Sequence, residues 1–526
     1  SAISACLVGS EMCIRDRDNV MRAIDRVPAA AEAGVKRVIN GPMIWSPDSN
    51  ALFGPVPELR NYFCCNGIIP GFSQSGGLGL LAAQWMIEGE PEWDMFAWDL
   101  ARFGDWADAA FTKARVRDQY IHRFKIHFPN EERSAGRPAR TRPAYEMQRR
   151  MGAVFGLNAG WEHPLWFADA PDVEDTNGFA RQNWFAPVGR EAAMLREDVG
   201  VIDISNFGNY VITGPGARRW LDALVANHVP GEVGRSCLTP LIGMRGGVAG
   251  DFTVTKTSDD SYMMIGSGMA ERYHQRFFDM VPMPDGTSLE VATPRIAGFN
   301  VAGPKSRAML STLTDADLSS EGWRFMRSRT ITVAGVECLA IRVSFTGDLG
   351  WELHCAESDQ LTLYTALLDA AAAHGGGPVG GRALGALRIE KGYGSWGREY
   401  SPEYWPQEAG LHGLLKLDKD FLNKEAYLRI SNTPPRETLT MFEVDVTDDA
   451  DANGGEPIFL ADGTPVGRVT SGAYGYTVGK SLAIGYAREG VVGPGDKVDI
   501  YILGKPHAAT VLAEPPFDSG GTRLRA

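Results

Sequence analysis

Two carboxylates stand where chemistry could be done. Asp251 closes the run Gly246-Gly-Val-Ala-Gly-Asp251, just ahead of the strand-like stretch Phe252–Lys256. A carboxylate delivered by a flexible loop at the head of a strand can reach a bound amine, as a base or as an electrostatic anchor. The same residues also suit a turn whose aspartate caps its own backbone. Glu352 lies in Ser344-Phe-Thr-Gly-Asp-Leu-Gly-Trp-Glu-Leu353, between apolar Trp351 and Leu353. Strand alternation turns it to the face that they do not occupy. If that face is enclosed, the carboxylate needs donors, and the amino and amide N–H groups of a pteridine would supply a matched pair. If it is open, Glu352 is an ordinary exposed strand residue.

Two further segments bear on binding. The run Gly71-Phe-Ser-Gln-Ser-Gly-Gly-Leu-Gly79 reads as a glycine-dense loop ahead of a helix. Backbone N–H groups there can approach an anion, and the helix dipole adds positive potential, so a pyrophosphate or flavin edge could sit on it. A tight strand-to-helix turn uses the same residues, and no GxGxxG accompanies it. The stretch Gly381–Gly392 reads as a helix carrying Arg382, Arg388, Glu390 and Lys391, for which solvated charge is the default. The nine histidines show neither HxH nor HExxH spacing, which gives no metal site, and no GxSxG nucleophile turn is present.

The elements that must hold these residues follow from periodicity. Asp18–Ala33 and the stretch from the glycine loop to Glu88 read as helices, the second closed by Gly89. Val35–Asn40, Asn61–Cys65, Val248–Lys256, Tyr262–Ile265, Gly298–Ala302, Val336–Val343 and Trp351–Cys355 read as strands, and Leu361–His374 as an Ala-rich helix. Boundaries are expected at Pro129–Pro143 and at Ser431–Arg436. Beyond the second, short strands at close spacing predict a small β-barrel or sandwich.

A chain of 526 residues predicts three or four domains at roughly 150 residues each. Its 52 lysines and arginines against 65 aspartates and glutamates give a net charge of −13. That argues against nucleic-acid binding, which needs a basic excess. The longest apolar run, Leu78–Ile87, is half of the roughly 20 residues that span a bilayer, so no membrane span is expected. Seven scattered cysteines without a CxxC pair predict neither a disulfide framework nor a zinc site, and point to a cytoplasmic or other reducing compartment. The leader before Asp18 has no secretory character. Leu7–Asp16 reverse-translates into a DNA library adapter, so residues 1–17 are expected to be non-native.

From about Lys36 onward the chain resembles the C-terminal part of the dimethylglycine/sarcosine dehydrogenase family. The segments that carry this, in family order, are GPMIWSPD (Gly41–Asp48), GFSQSGGLG (Gly71–Gly79), AGRPARTRPAY (Ala135–Tyr145), GVIDISNFG (Gly200–Gly208), GGVAGD (Gly246–Asp251), VAGPKS (Val301–Ser306), SFTGDLGWEL (Ser344–Leu353), RIEKGYGSWGRE (Arg388–Glu399) and GRVTSGAYGYTVGKSLAIGY (Gly467–Tyr486). The resemblance implies an α+β fold: a remnant of a flavin oxidoreductase domain (18–135), a folate-binding module like the glycine-cleavage T-protein (136–430) and a C-terminal β-barrel (431–526). It implies FAD and tetrahydrofolate as cofactors. The implied reaction is oxidative demethylation of an N-methyl amine, dimethylglycine or sarcosine in type, with the carbon passed to tetrahydrofolate and the electrons to oxygen or an electron-transfer flavoprotein. By resemblance, Asp251 is the catalytic carboxylate near the folate amines, and Glu352 and Phe345 orient the pteridine. Arg382 and Arg388 meet the folate glutamate, while Gly71, Phe72, Ser73, Gln74, Gly76 and Gly77 close over the flavin. Three departures from the family pattern stand out: Leu238 and Phe345 replace frequent tyrosines, and the pair Ser73-Gln74 replaces Asn-Ser, which leaves the amine open. A flavin-independent folate aminomethyltransferase and a non-catalytic folate-binding module are the alternatives. The family's nucleotide-binding segment and covalent flavin histidine are expected upstream of Lys36, so Lys36–Ala101 is expected to be poorly stable alone.

Overall fold

A computed structural model describes residues 20–33 and 43–526, in two compact units divided at Trp45. In the first unit, residues 20–26 are helical and a 3-10 turn, Pro28–Ala31, follows. The leader and the strand expected at Val35–Asn40 lie outside the described residues.

The second unit opens with a hairpin, β1 (Leu52–Pro55) and β2 (Phe63–Asn66), against helix α1 (Gly71–Glu88). Here the chain departs from the sequence expectation, because Gly71–Gly79 is not a loop but the first turns of α1. Leu78, Leu81 and Trp85 recur at helical spacing and pack on Phe53, so burial overrides the weak helix preference of the glycines. Gly89 ends the helix at φ 85°, a left-handed position that suits glycine. Helix α2 (Ala109–Ile121) begins where the Asp108 side chain accepts the Phe111 N–H at 2.8 Å.

Two sheets build the centre. After a hairpin of β3 (Ala153–Asn158) and β4 (Trp161–Phe167) come helix α3 (Phe185–Glu197), β5 (Gly200–Asp203), β6 (Gly208–Thr213) and α4 (Ala217–Leu224). The chain continues through β7 (Ser236–Ile242), β8 (Val248–Ser258), β9 (Ser261–Gly266), α5 (Glu271–Phe278), β10 (Ser288–Val291) and β11 (Ile296–Ala302). Then follow β12 (Ser328–Val333), β13 (Val336–Ile341), β14 (Gly350–Ala356), α6 (Gln360–Ala372), β15 (Gly377–Val379) and α7 (Gly381–Glu390). One sheet runs β10-β6-β9-β8-β7 and the other β12-β13-β14-β11-β5-β15, both antiparallel throughout except where β15 pairs with β5 in parallel. Each buries one face under helices: Trp351, Leu353 and Cys355 of β14 pack with Leu363 and Leu367 of α6, and Phe252 and Val254 of β8 pack with Phe277 and Phe278 of α5. Six strands between Glu437 and Val511 close into a barrel with its own apolar core. Among the described residues, no helix is long and apolar enough to cross a membrane.

Candidate functional site

The alternation that buries Trp351 and Leu353 on one side of β14 puts Glu352 and His354 on the other. Asp251 is placed by the same rule on β8. That strand starts at Val248, so Asp251 lies inside it rather than at its head, sharing a face with Thr253. Both carboxylates line one cavity of about 490 Å³, within the size range of ligand pockets. Leu238 and Pro240 of β7 form one wall, and Tyr393, Trp396 and Tyr400, from the loop after α7, form another.

The electrostatics are those of carboxylates without counter-cations. Asp251 has no ion-pair partner among the described residues, and burial pushes its carboxyl up to about 6. The Tyr400 phenol is raised in turn, by burial first and by the Asp251 charge second. Glu352 has 18% of its side-chain surface exposed, and the His354 ring lies beside it, with Nε2 3.6 Å from Oε2. His354 is itself 5% exposed, with neither ring nitrogen hydrogen-bonded among the described residues. Phe345, which precedes β14, stacks with Tyr393 at 5.8 Å between centroids and 18° between planes. Trp396 is fixed by its indole N–H, which donates to the Ala249 carbonyl at 2.9 Å. Gly394 has to be glycine, since a Cβ there would stand 2.5 Å from the Tyr400 ring. Among the described residues that line the cavity, Arg525 is the one cation, its Nη1 donating to Gly520 O at 2.9 Å.

The structure thus gathers Asp251, Glu352 and Phe345 and leaves the other expected residues elsewhere. Arg382 and Arg388 do not reach this cavity. They line a separate groove of about 370 Å³ between α7 and the barrel, and both are already paired. Arg382 forks onto Asp175, with one bond of 2.9 Å, and Arg388 donates to Glu399 at 2.9 Å and to Ser471 at 2.8 Å. Arg388 faces the barrel, where it meets Ser471, whereas Arg382 turns to Asp175 and the Trp184 ring, and the buried Glu399 takes the charge of Arg388. Gly71, Phe72, Ser73, Gln74, Gly76 and Gly77 form an open helix end. Phe72 is fully exposed, and a Cβ added at Gly71, Gly76 or Gly77 would meet nothing within 4 Å. That is room for a group to approach the backbone, but it is not an enclosed flavin pocket. Sequence reasoning missed Tyr393, Tyr400 and Arg525. Tyr393 sits in a segment already singled out and Tyr400 directly follows it, while nothing local marks Arg525.

Three family models match the chain: the GCVT N-terminal domain over residues 144–419, the glycine cleavage T-protein C-terminal barrel domain over 438–518, and the FAD dependent oxidoreductase central domain over 88–141. A mitochondrial dimethylglycine dehydrogenase of Mus musculus is 35% identical over 95% of this chain and 58% of its own length. A mitochondrial sarcosine dehydrogenase of Mus musculus is 30% identical over 96% of this chain and 60% of its own. The chain therefore spans about three fifths of the relatives it matches. The solved glycine cleavage system aminomethyltransferase T of Bartonella henselae superposes with a TM-score of 0.62 at 22% identity, over 72% of this chain and 98% of that one, which establishes a common fold.

Proposed function

Because the chain belongs to the dimethylglycine/sarcosine dehydrogenase family, we propose that the cavity between the two sheets binds tetrahydrofolate, and that the whole protein oxidatively demethylates an N-methyl amine of dimethylglycine or sarcosine type. One observation carries the reading: Asp251 and Glu352 face a single aromatic-walled cavity, and among the described residues no lysine or arginine pairs with either.

Each wall has a part in this proposal. Glu352 accepts the paired N–H groups of the pteridine edge, a charge-assisted contact stronger than a neutral one. Phe345 and Tyr393, stacked on each other, offer the ring an aromatic face. Arg525 at the mouth meets the ligand's glutamate carboxylate. Asp251, with its carboxyl raised to about 6, can hold or release a proton at a ligand amine near neutral pH.

FAD, in the whole protein, supplies the two-electron oxidation of the N-methyl group, and oxygen or an electron-transfer flavoprotein takes the electrons. The glycine-rich end of α1 is this chain's proposed contribution to that site, as an open surface and not as an enclosure. An oxidised N-methyl group is an iminium carbon that water converts to formaldehyde. A folate cavity in the same chain retains the carbon through effective concentration. We place the protein in a reducing compartment, where its described cysteines are free thiols.

The test is anaerobic calorimetric titration of the chain with tetrahydrofolate. Saturable binding that disappears in Glu352→Ala and persists in Asp251→Asn is expected. A folded wild-type chain that takes up no tetrahydrofolate would overturn the assignment.

A further inference from the structure

A second cavity, of about 250 Å³, opens between the end of α1, the segment that follows it, and α5. Its floor is aromatic: Trp85 and Tyr273 are 7% and 6% exposed, and the Phe96 ring meets Tyr273 edge-on at 5.7 Å. Trp93, 65% exposed, also lines this cavity.

Three carboxylates line this aromatic space: Asp99, Glu90 and Asp94. Asp99 is neutralised by Arg276, whose two Nη atoms reach it at 2.7 and 3.0 Å. That guanidinium lies 5.4 Å from the Trp85 ring and 5.9 Å from the Tyr273 ring, so the walls already accept one cation against their π faces. Glu90 and Asp94 have no such partner among the described residues. Glu90, 9% exposed, accepts the backbone N–H of Arg245 at 3.1 Å, while the Arg245 guanidinium is turned away to Glu88. Asp94 accepts the Phe96 N–H at 2.9 Å. Hydrogen bonds from the backbone leave both charges uncompensated, and desolvation accordingly raises both carboxyls, Glu90 to about 7.

A buried carboxylate without a counter-ion is costly, and a cation entering the cavity would relieve that cost. The walls decide which cation. A metal ion wants several oxygen or nitrogen ligands, and no group of three candidate ligands occurs among the described residues. A strongly hydrated primary ammonium would lose its water to indole and phenol rings. An N-methylated ammonium carries its charge on an apolar shell that fits aromatic faces.

We propose that this cavity binds a small N-methylated ammonium ion, held against the rings of Trp85, Trp93 and Tyr273 and countered by Glu90 and Asp94. The site is separate from the folate cavity, sharing none of its carboxylates, and the inference does not depend on the folate reading.

Choline and 3,3-dimethylbutan-1-ol, its uncharged isostere, are the probes. In calorimetric titration of the full chain at pH 8, choline should bind saturably and the alcohol should not. Trp93→Ala should weaken choline binding roughly tenfold, and Glu90→Gln should weaken it at least as much. Trp93 stands outside the core, so the first variant tests the site even if the second fails to fold, and a thermal melt distinguishes the two cases. Equal binding of both probes would show a merely apolar pocket. Absence of choline binding, or binding unchanged in a folded Trp93→Ala, would equally overturn the proposal.

Discussion

Asp251 reaches cavity space but finds no donor strong enough to keep its carboxyl at the usual value, and its raised pKa of about 6 has a sign that can be checked. Between pH 4 and pH 6 the folded protein holds a proton that the unfolded chain has released. The contribution of this group to stability therefore falls as pH rises through that window, and above it the folded state carries the cost of the charged carboxylate. At roughly 1.4 kcal/mol per unit the cost is about 3 kcal/mol at most, and solvent in the cavity reduces it to about 1 kcal/mol. Asp251→Asn should thus melt higher than the wild type at pH 8 and equally at pH 3.5, where both side chains are neutral. A variant that melts lower at pH 8 would show that the carboxylate is stabilised by a partner. Phe345 allows a second test at this scale. Phe345→Ala should weaken tetrahydrofolate binding about tenfold through the lost ring contact, while Phe345→Tyr, which keeps the face, should change it little.

At the scale of elements, period-two alternation in β14 made Glu352's face legible from Trp351 and Leu353 alone, and the strands around Asp251 were readable for the same reason. Helix α1 was not readable at its start, because glycine density is the local signature of a loop and the burial of Leu78 and Trp85 that overrides it is tertiary. A consequence is measurable. Gly76 and Gly77 are helical, and an added Cβ meets nothing within 4 Å. Each Gly→Ala change should therefore stabilise this chain, by about 0.5–1 kcal/mol. A lower melting temperature would mean that the segment is a loop after all. The arginines were misplaced for a different reason. Spacing on a helix puts Arg382 and Arg388 on its surface, but only the packed structure brings up Asp175 and Glu399 to claim them. Arg525 comes to the cavity from a segment remote in sequence, a juxtaposition that no local pattern encodes.

For the molecule as a whole, the loop that presents Phe345 depends on a charge network that joins α3, α7, the barrel and the C-terminal segment. Arg196 of α3 is 5% exposed and bridges Asp348, in that loop, to Glu390 of α7, the latter at 2.8 Å. Asp348 and Glu390 are 1% and 0% exposed. Arg523 adds a 2.6 Å bond to Asp348, and the barrel's Thr477 N–H donates to Glu390 at 2.7 Å. Removing the central cation leaves Arg523 to serve Asp348 but leaves Glu390 charged, sealed and without a counter-ion. Breaking one side of such a buried group costs far more than the intact network contributes, about 3–5 kcal/mol. Arg196→Met, which keeps most of the volume, should shift the denaturation midpoint accordingly, with tetrahydrofolate affinity falling as the 344–350 loop loosens. An unchanged midpoint would show that this buried network does not hold the loop.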